Sequence, residues 1–262
     1  MNHIAIDRSD SGIATVWLDN PRRLNALSND MAIGLGDALT ELAADTGCAA
    51  VVLRGRSGVF CAGRDLTDLR ELQSADDETV AAMYGHLQRM NEAIYFAPMP
   101  TISIVERYAL GIGTMIATWT DITLAEEAAR FGYPEVQHGI TPYGAVPTMR
   151  NTMTQKGMLD LLLTGRRIDA REAVSLGIVT RAVPSDRLEE ALETTLADLA
   201  RGSAAAIRKS KAFVRACEGP AYRAALSAAT TNAIASIRQP EMREGLAAFA
   251  RKDGEQGGAE TA

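Results

Sequence analysis

Residues Pro100 to Val146 read PTISIVERYALGIGTMIATWTDITLAEEAARFGYPEVQHGITPYGAV, and the order of elements within this stretch decides the fold. An apolar, β-branched run from Thr101 to Val105 has the pattern of a strand. It leads into Tyr108-Ala109-Leu110-Gly111-Ile112-Gly113, after which Met115, Ile116 and Ala117 open a helix. Strand, glycine turn and helix start leave backbone N–H groups free above the turn, where they suit a developing negative charge. A second apolar run, Ile122 to Ala125, precedes Ala129-Arg130-Phe131-Gly132-Tyr133-Pro134-Glu135, a turn that presents a carboxylate. An anion-stabilising turn beside one acid points to chemistry on a carbonyl.

Outward from this stretch the chain alternates strand and helix signals. Ile4 to Ile6 and Ile13 to Leu18 flank Asp10-Ser11-Gly12 as a β-hairpin. Ser28 caps a helix whose apolar positions Met31, Leu35, Ala38, Leu39 and Leu42 share one face, with Gly47 at its end and a buried strand over Cys48 to Leu53. From Ser74 one long amphipathic helix is expected: Asp76, Asp77 and Glu78 suit its N-terminus, Val80, Met83, Leu87, Met90 and Ile94 form its stripe, and Pro98 and Pro100 stop it. Asp169-Ala170-Arg171-Glu172 forms a capping box for a short helix ended by Gly177. After Pro184 helices dominate, over Ser185 to Arg201, Ser203 to Cys217, Ala221 to Arg238 and Glu241 to Arg251, punctuated by Gly202, Gly219-Pro220 and Pro240.

Composition narrows the function classes. The 262 residues are 47% hydrophobic and 23% charged, ordinary for a chain with a substantial core. A net charge of −6 and a pI of about 5.2 argue against a nucleic-acid surface, which needs a basic stripe. Met1-Asn2-His3-Ile4 lacks a basic n-region followed by an apolar one, and no apolar run approaches the length of a membrane span. Cys48, Cys61 and Cys217 are widely spaced and unaccompanied by histidines at ligand distance, so neither a disulfide framework nor a metal site is expected. A cytoplasmic location fits that cysteine usage.

The run from Thr120-Asp121-Ile122 to Glu135, with Gly139 and Pro142 after it, closely resembles the crotonase (enoyl-CoA hydratase/isomerase) superfamily. Three further stretches resemble it in the same order: Asn20-Pro21-Arg22-Arg23-Leu24-Asn25-Ala26-Leu27, Phe60-Cys61-Ala62-Gly63-Arg64-Asp65-Leu66, and Leu163-Thr164-Gly165-Arg166 leading to Gly177-Ile178-Val179. The resemblance implies an α/β fold, a crotonase-like spiral of ββα units over residues 1–184. It also implies a C-terminal helical region, 185–252, that assembles homotrimers or homohexamers, and a disordered tail is expected over 253–262. The implied substrate is an acyl-CoA thioester, with no cofactor beyond its CoA moiety and no nucleic-acid or membrane partner.

By the same resemblance the backbone N–H groups of Ala62 and Ile112 hold the thioester oxygen, and Glu135 is the base. The superfamily's other catalytic glutamate falls at Met115, so half of a hydratase's paired carboxylates is missing. Isomerisation of an enoyl-CoA double bond by one shuttling carboxylate is the leading expectation. A single-glutamate hydratase or hydratase-lyase, and a non-catalytic acyl-CoA-binding scaffold, remain alternatives. Leu24, Asn25, Ala26 and Leu27 match the turn that meets the adenine, with Ala62, Asp65 and Leu66 opposite, and Arg64 is placed either at a CoA phosphate or in a surface ion pair. Phe249 and Lys252 fit a pattern by which a C-terminal helix completes a neighbouring subunit's CoA site. Met115, His138 and Tyr143 are expected to line the acyl pocket, with Tyr143 narrowing it. Asp121 reads as structural.

Overall fold

The computed structural model describes residues 3–257, and side chains over 3–248. Strands β1 (Ile4–Arg8) and β2 (Ile13–Leu18) pair antiparallel across a turn in which Gly12 takes φ +80°. Helix α1 (Asn29–Ala44) begins where Ser28 accepts the Met31 N–H at 3.1 Å, and it returns the chain to β3 (Ala50–Gly55), parallel to β2. Helices α2 (Leu66–Ser74) and α3 (Asp77–Tyr95) precede β4 (Thr101–Val105). The sequence reading missed α2, whose cap is Asp65, accepting the Thr67 N–H at 2.9 Å. The expected long helix starts at its acidic cap as anticipated, with Asp76 accepting the Thr79 N–H at 2.7 Å.

From β4 the chain passes through β5 (Tyr108–Leu110), α4 (Ile112–Trp119), β6 (Ile122–Glu126) and β7 (Arg130–Gly132). Helices α5 (Val146–Thr152) and α6 (Gln155–Thr164) lead to β8 (Arg167–Asp169), α7 (Ala170–Ser175) and β9 (Arg181–Val183). The larger sheet has the order β1-β2-β3-β4-β6-β9 and is parallel after its first hairpin, while β5-β7-β8 form a second, smaller sheet. This is the strand-strand-helix winding the resemblance implies. Strands β3 and β4 are buried on both faces because both faces are covered. Val51 and Leu53 face the main core under α1, and Val52, Ile102, Ile104 and Leu124 pack on the other side against Leu188 of α8 (Leu188–Arg201).

Asp121 is structural as expected. It accepts the Thr101 N–H at 2.8 Å and pairs with Lys211 at 2.6 Å and Arg215 at 2.9 Å, tying the sheet to α9 (Ala204–Ser236). The expected break at Gly219-Pro220 is absent, and α9 runs through it. Proline removes one helical N–H there, but contacts on both sides hold the axis against α3. Tyr222 stacks on Tyr95 at 3.9 Å between ring centres and donates to Asn91 at 2.8 Å, while the Tyr95 hydroxyl donates to Glu218 at 2.9 Å. Helix α10 (Pro240–Gly257) carries on into the segment expected to be a tail, over 253–257, and residues 258–262 lie outside the described ones. Among the described residues no helix is long and apolar enough to cross a membrane.

Candidate active site

Two turns meet at the N-terminus of α4. Gly111 takes φ +53° and no side chain caps the helix, so the Ile112 N–H opens it without an intrahelical partner. The second turn is stitched to β5 through the Cys61 N–H on Tyr108 at 2.9 Å and the Leu110 N–H on Cys61 at 3.0 Å. Helix α4 approaches this turn so closely that a Cβ on Gly113 would lie 2.5 Å from the Cys61 carbonyl oxygen.

The N–H expected to donate in the second turn is already engaged. The Ala62 N–H points back at the Leu24 carbonyl, 3.1 Å away, and is spent there. Beyond it the chain bridges to Leu27, with Leu27 N–H on Gly63 at 2.7 Å and Asp65 N–H on Leu27 at 3.0 Å. The N–H between these two bonds, that of Arg64, donates to no group among the described residues. Arg64 and Ile112 line one cavity, and Ala62 does not border it.

Glu135 lies in the same cavity, on a 3-10 turn from Pro134 to His138. Its Oε2 is buried with no hydrogen-bond partner in the protein. A Cβ on Gly111 would sit 3.0 Å and 3.1 Å from the two carboxylate oxygens, so glycine admits the acid against the backbone next to Ile112. Burial pushes the carboxyl up to about 7, opposed in part by a hydrogen bond from its own backbone N–H. Met115 lines the cavity with its sulfur toward Gly144, and Tyr143 lines it as expected. Among the described residues Glu135 is the one carboxylate on the cavity wall.

Several other expected residues lie elsewhere. His138 does not border the cavity, because its backbone is pressed under α10: a Cβ on Gly245 would lie 1.7 Å from its carbonyl oxygen, and Met242 of α10 takes the wall. Asn25 is fully buried as a clip, accepting the Asn20 N–H at 2.8 Å and donating to Arg56 and Val59 carbonyls at 2.9 and 2.6 Å. Leu24 and Asn25 take φ +50° and +53°, Leu24 is exposed, Ala26 half-buried, and Leu27 is in the core. Asp65 is held by Arg23 at 2.9 Å, and Leu66 packs on the core at the start of α2. Arg64 lines the cavity and, in place of the surface ion pair that was one expectation, its guanidinium bonds Asn29 at 2.7 Å. The side chains of Phe249 and Lys252 lie outside the described residues.

Sequence reading missed one whole wall. Leu226, Ala229, Thr230 and Ala233 of α9 face the cavity together with Met242, opposite Tyr84 and Leu87 of α3. Alanines four apart on a helix signal close approach, but not to what.

A family model described as enoyl-CoA hydratase/isomerase matches residues 8–256 of the chain. A Thermus thermophilus protein assigned as an enoyl-CoA hydratase is 34% identical over 241 residues, which span 92% of this chain and 95% of that one. The 2,3-dehydroadipyl-CoA hydratase of Escherichia coli is 31% identical over 257 residues, covering 96% of this chain and 97% of that protein. In fold the chain is similar to a crystal structure of enoyl-CoA hydratase from Bacillus halodurans, with a TM-score of 0.88, coverage of 94% and 99%, and 21% identity.

Proposed function

The chain belongs to the enoyl-CoA hydratase/isomerase family, and from that premise we propose that it shifts the double bond of an enoyl-CoA with Glu135 as its one base. The thioester oxygen takes the N–H groups of Arg64 and Ile112, which stabilise the charge that develops there. Glu135 removes a proton from C2, the electrons spread into a dienolate, and the same carboxyl returns the proton at C4. One group serves both steps because it is near 7, basic enough to accept and acidic enough to give back. The observation that carries this reading is a carboxylate whose Oε2 is buried without a partner, set against the Ile112 turn with Met115 where a second acid would stand.

Incubation with a panel of enoyl-CoA thioesters, followed by mass spectrometry and chromatography, tests it. Isomerisation changes retention at constant mass, and hydration adds the mass of water. Binding without conversion of any thioester in either direction would instead support a scaffold. Deuterium exchange at C2 of butyryl-CoA reports enolate formation whatever the true substrate. That exchange should rise with pH through a midpoint near 7, since only the ionised Glu135 accepts a proton. A rate that is flat between pH 5.5 and 8.5 would remove Glu135 from the mechanism.

The names of the relatives favour a second reading, in which Glu135 alone activates water for hydration. Met115→Glu separates the two, because it places a carboxylate in the cavity beside Gly144. Hydration should then rise relative to isomerisation, at a cost of roughly a few kcal/mol for the added buried charge. A folded variant with no gain in hydration would mean that this position does not meet attacking water. A homotrimer or homohexamer fits the exposure of Phe213 and Val214 side by side on α9, 72% and 53% accessible, and sedimentation of the full chain tests it.

A further inference from the structure

On the residues that line the cavity of Glu135, the buried polar atoms left without a partner are mostly donors. Arg64, Asn91 and Trp119 border it, and Arg64 Nε and Nη1, Asn91 Nδ2 and Trp119 Nε1 are buried with no hydrogen-bond partner in the protein. Buried polar groups are almost always paired, and a charged one most of all. The carboxylates near Arg64 are committed elsewhere. Asp65 is held by Arg23 and the Thr67 N–H, and Asp68 accepts the Asn29 N–H at 2.5 Å. Glu135 does not serve either: among the described residues no hydrogen bond or ion pair joins it to Arg64, and its Oε2 has no partner in the protein. Burial pulls the guanidinium below its ordinary value against weak support from Tyr84, Asp68 and Asp65, yet an arginine stays charged. Its Nη2 spends one hydrogen on Asn29 and keeps the other to complete a fork with an unpaired nitrogen.

We propose that Arg64 is a specificity residue whose guanidinium receives a carboxylate at the far end of the acyl chain, so that the preferred ligands are CoA thioesters of short dicarboxylic acids. This rests on the reading that the cavity takes the acyl group. The same residue then meets both ends of the acyl group, its backbone N–H at the thioester oxygen and its side chain at the distal carboxylate. One arginine side chain sets the distance between them, which is why the acid is short. An alkyl chain in this cavity would leave the charge unpaired and remove it further from water, whereas a carboxylate replaces solvent with a charge-assisted pair.

Calorimetric titration of the full chain with adipoyl-CoA and hexanoyl-CoA, equal in length and differing in the terminal carboxylate, decides the matter without turnover. Adipoyl-CoA should bind at least ~10-fold more tightly. Arg64→Met should abolish that difference, and Arg64→Lys, which keeps the charge without the fork, should retain part of it. Equal affinities in the unaltered protein, or tighter hexanoyl-CoA, would overturn the proposal even if neither variant folds. A preference that survives unchanged in folded Arg64→Met would place carboxylate recognition elsewhere and overturn it too. Butyryl-CoA exchange, measured in parallel, reports on the enolate reading separately. Exchange without a carboxylate preference sinks this inference alone, and a preference without exchange sinks the proposed reaction alone.

Discussion

Glu135→Gln loses at least ~10²-fold of C2 exchange from butyryl-CoA while it still binds the thioester. The amide is nearly isosteric, keeps the contact with Gly111 and cannot accept the proton. The same substitution should stabilise the fold at alkaline pH, and the sign follows from protonation. The unfolded carboxyl ionises around 4.5 and the folded one near 7, so between these values the folded state holds more protons and its stability falls as pH rises. Above 7 the cost of a buried, unpaired carboxylate is fully present, on the order of 1–3 kcal/mol. Glutamine carries no such charge. Glu135→Gln should therefore melt higher than the unaltered protein at pH 8, and the gap should close below pH 4.5. His138→Ala is the control and should retain most of the exchange, since His138 does not border the cavity. Exchange that survives in Glu135→Gln and vanishes in His138→Ala would make histidine the base.

What the sequence showed plainly was local. The caps at Ser28, Asp76 and Asp169 work over three residues, and each accepts the N–H its position implies. The placement of Glu135 and Met115 in one cavity also follows from a contiguous motif wound tightly around one turn. What it hid depended on distant chain. Whether Ala62 or Arg64 presents a free N–H is decided by where the Leu24 carbonyl falls, and no pattern within Cys61 to Leu66 records that. Pro220 reads as a helix break until Tyr222 finds Tyr95, more than a hundred residues earlier. The small residues Ala229 and Ala233 suit an assembly face as well as a pocket wall, and only packing against α3 and α10 distinguishes the two. Arg64 reads in sequence as a group for a CoA phosphate or a surface ion pair, and its bond to Asn29, 35 residues earlier, is recorded by no local pattern.

Gly113→Ala should cost about as much exchange as removing an oxyanion donor outright, ~10² to 10³-fold, although the substitution adds one methyl group and touches no side chain of the site. Helix propensity favours alanine here by up to about 1 kcal/mol, because Gly113 lies within α4. Packing opposes it more strongly. The new Cβ would lie 2.5 Å from the Cys61 carbonyl oxygen and 2.9 Å from the Cys61 Cβ, and neither is the loose end of a side chain. Cys61 is held to β5 by hydrogen bonds on both its N–H and its carbonyl, so the turn yields only by breaking one of them or by lifting α4 away. Either movement shifts the N–H groups of Arg64 and Ile112 relative to each other, and the proposed mechanism needs both at one oxygen. The overpacking itself should lower stability by about 1–3 kcal/mol. Residual exchange should keep its midpoint near pH 7, because Glu135 still sits against Gly111, and this distinguishes a damaged oxyanion site from a lost base. Gly144→Ala makes a fair comparison: its Cβ would meet the flexible Met115 sulfur at 3.3 Å, and that variant should remain within a few-fold of the unaltered rate. If folded Gly113→Ala exchanges as fast as Gly144→Ala, the two backbone donors do not hold the thioester oxygen.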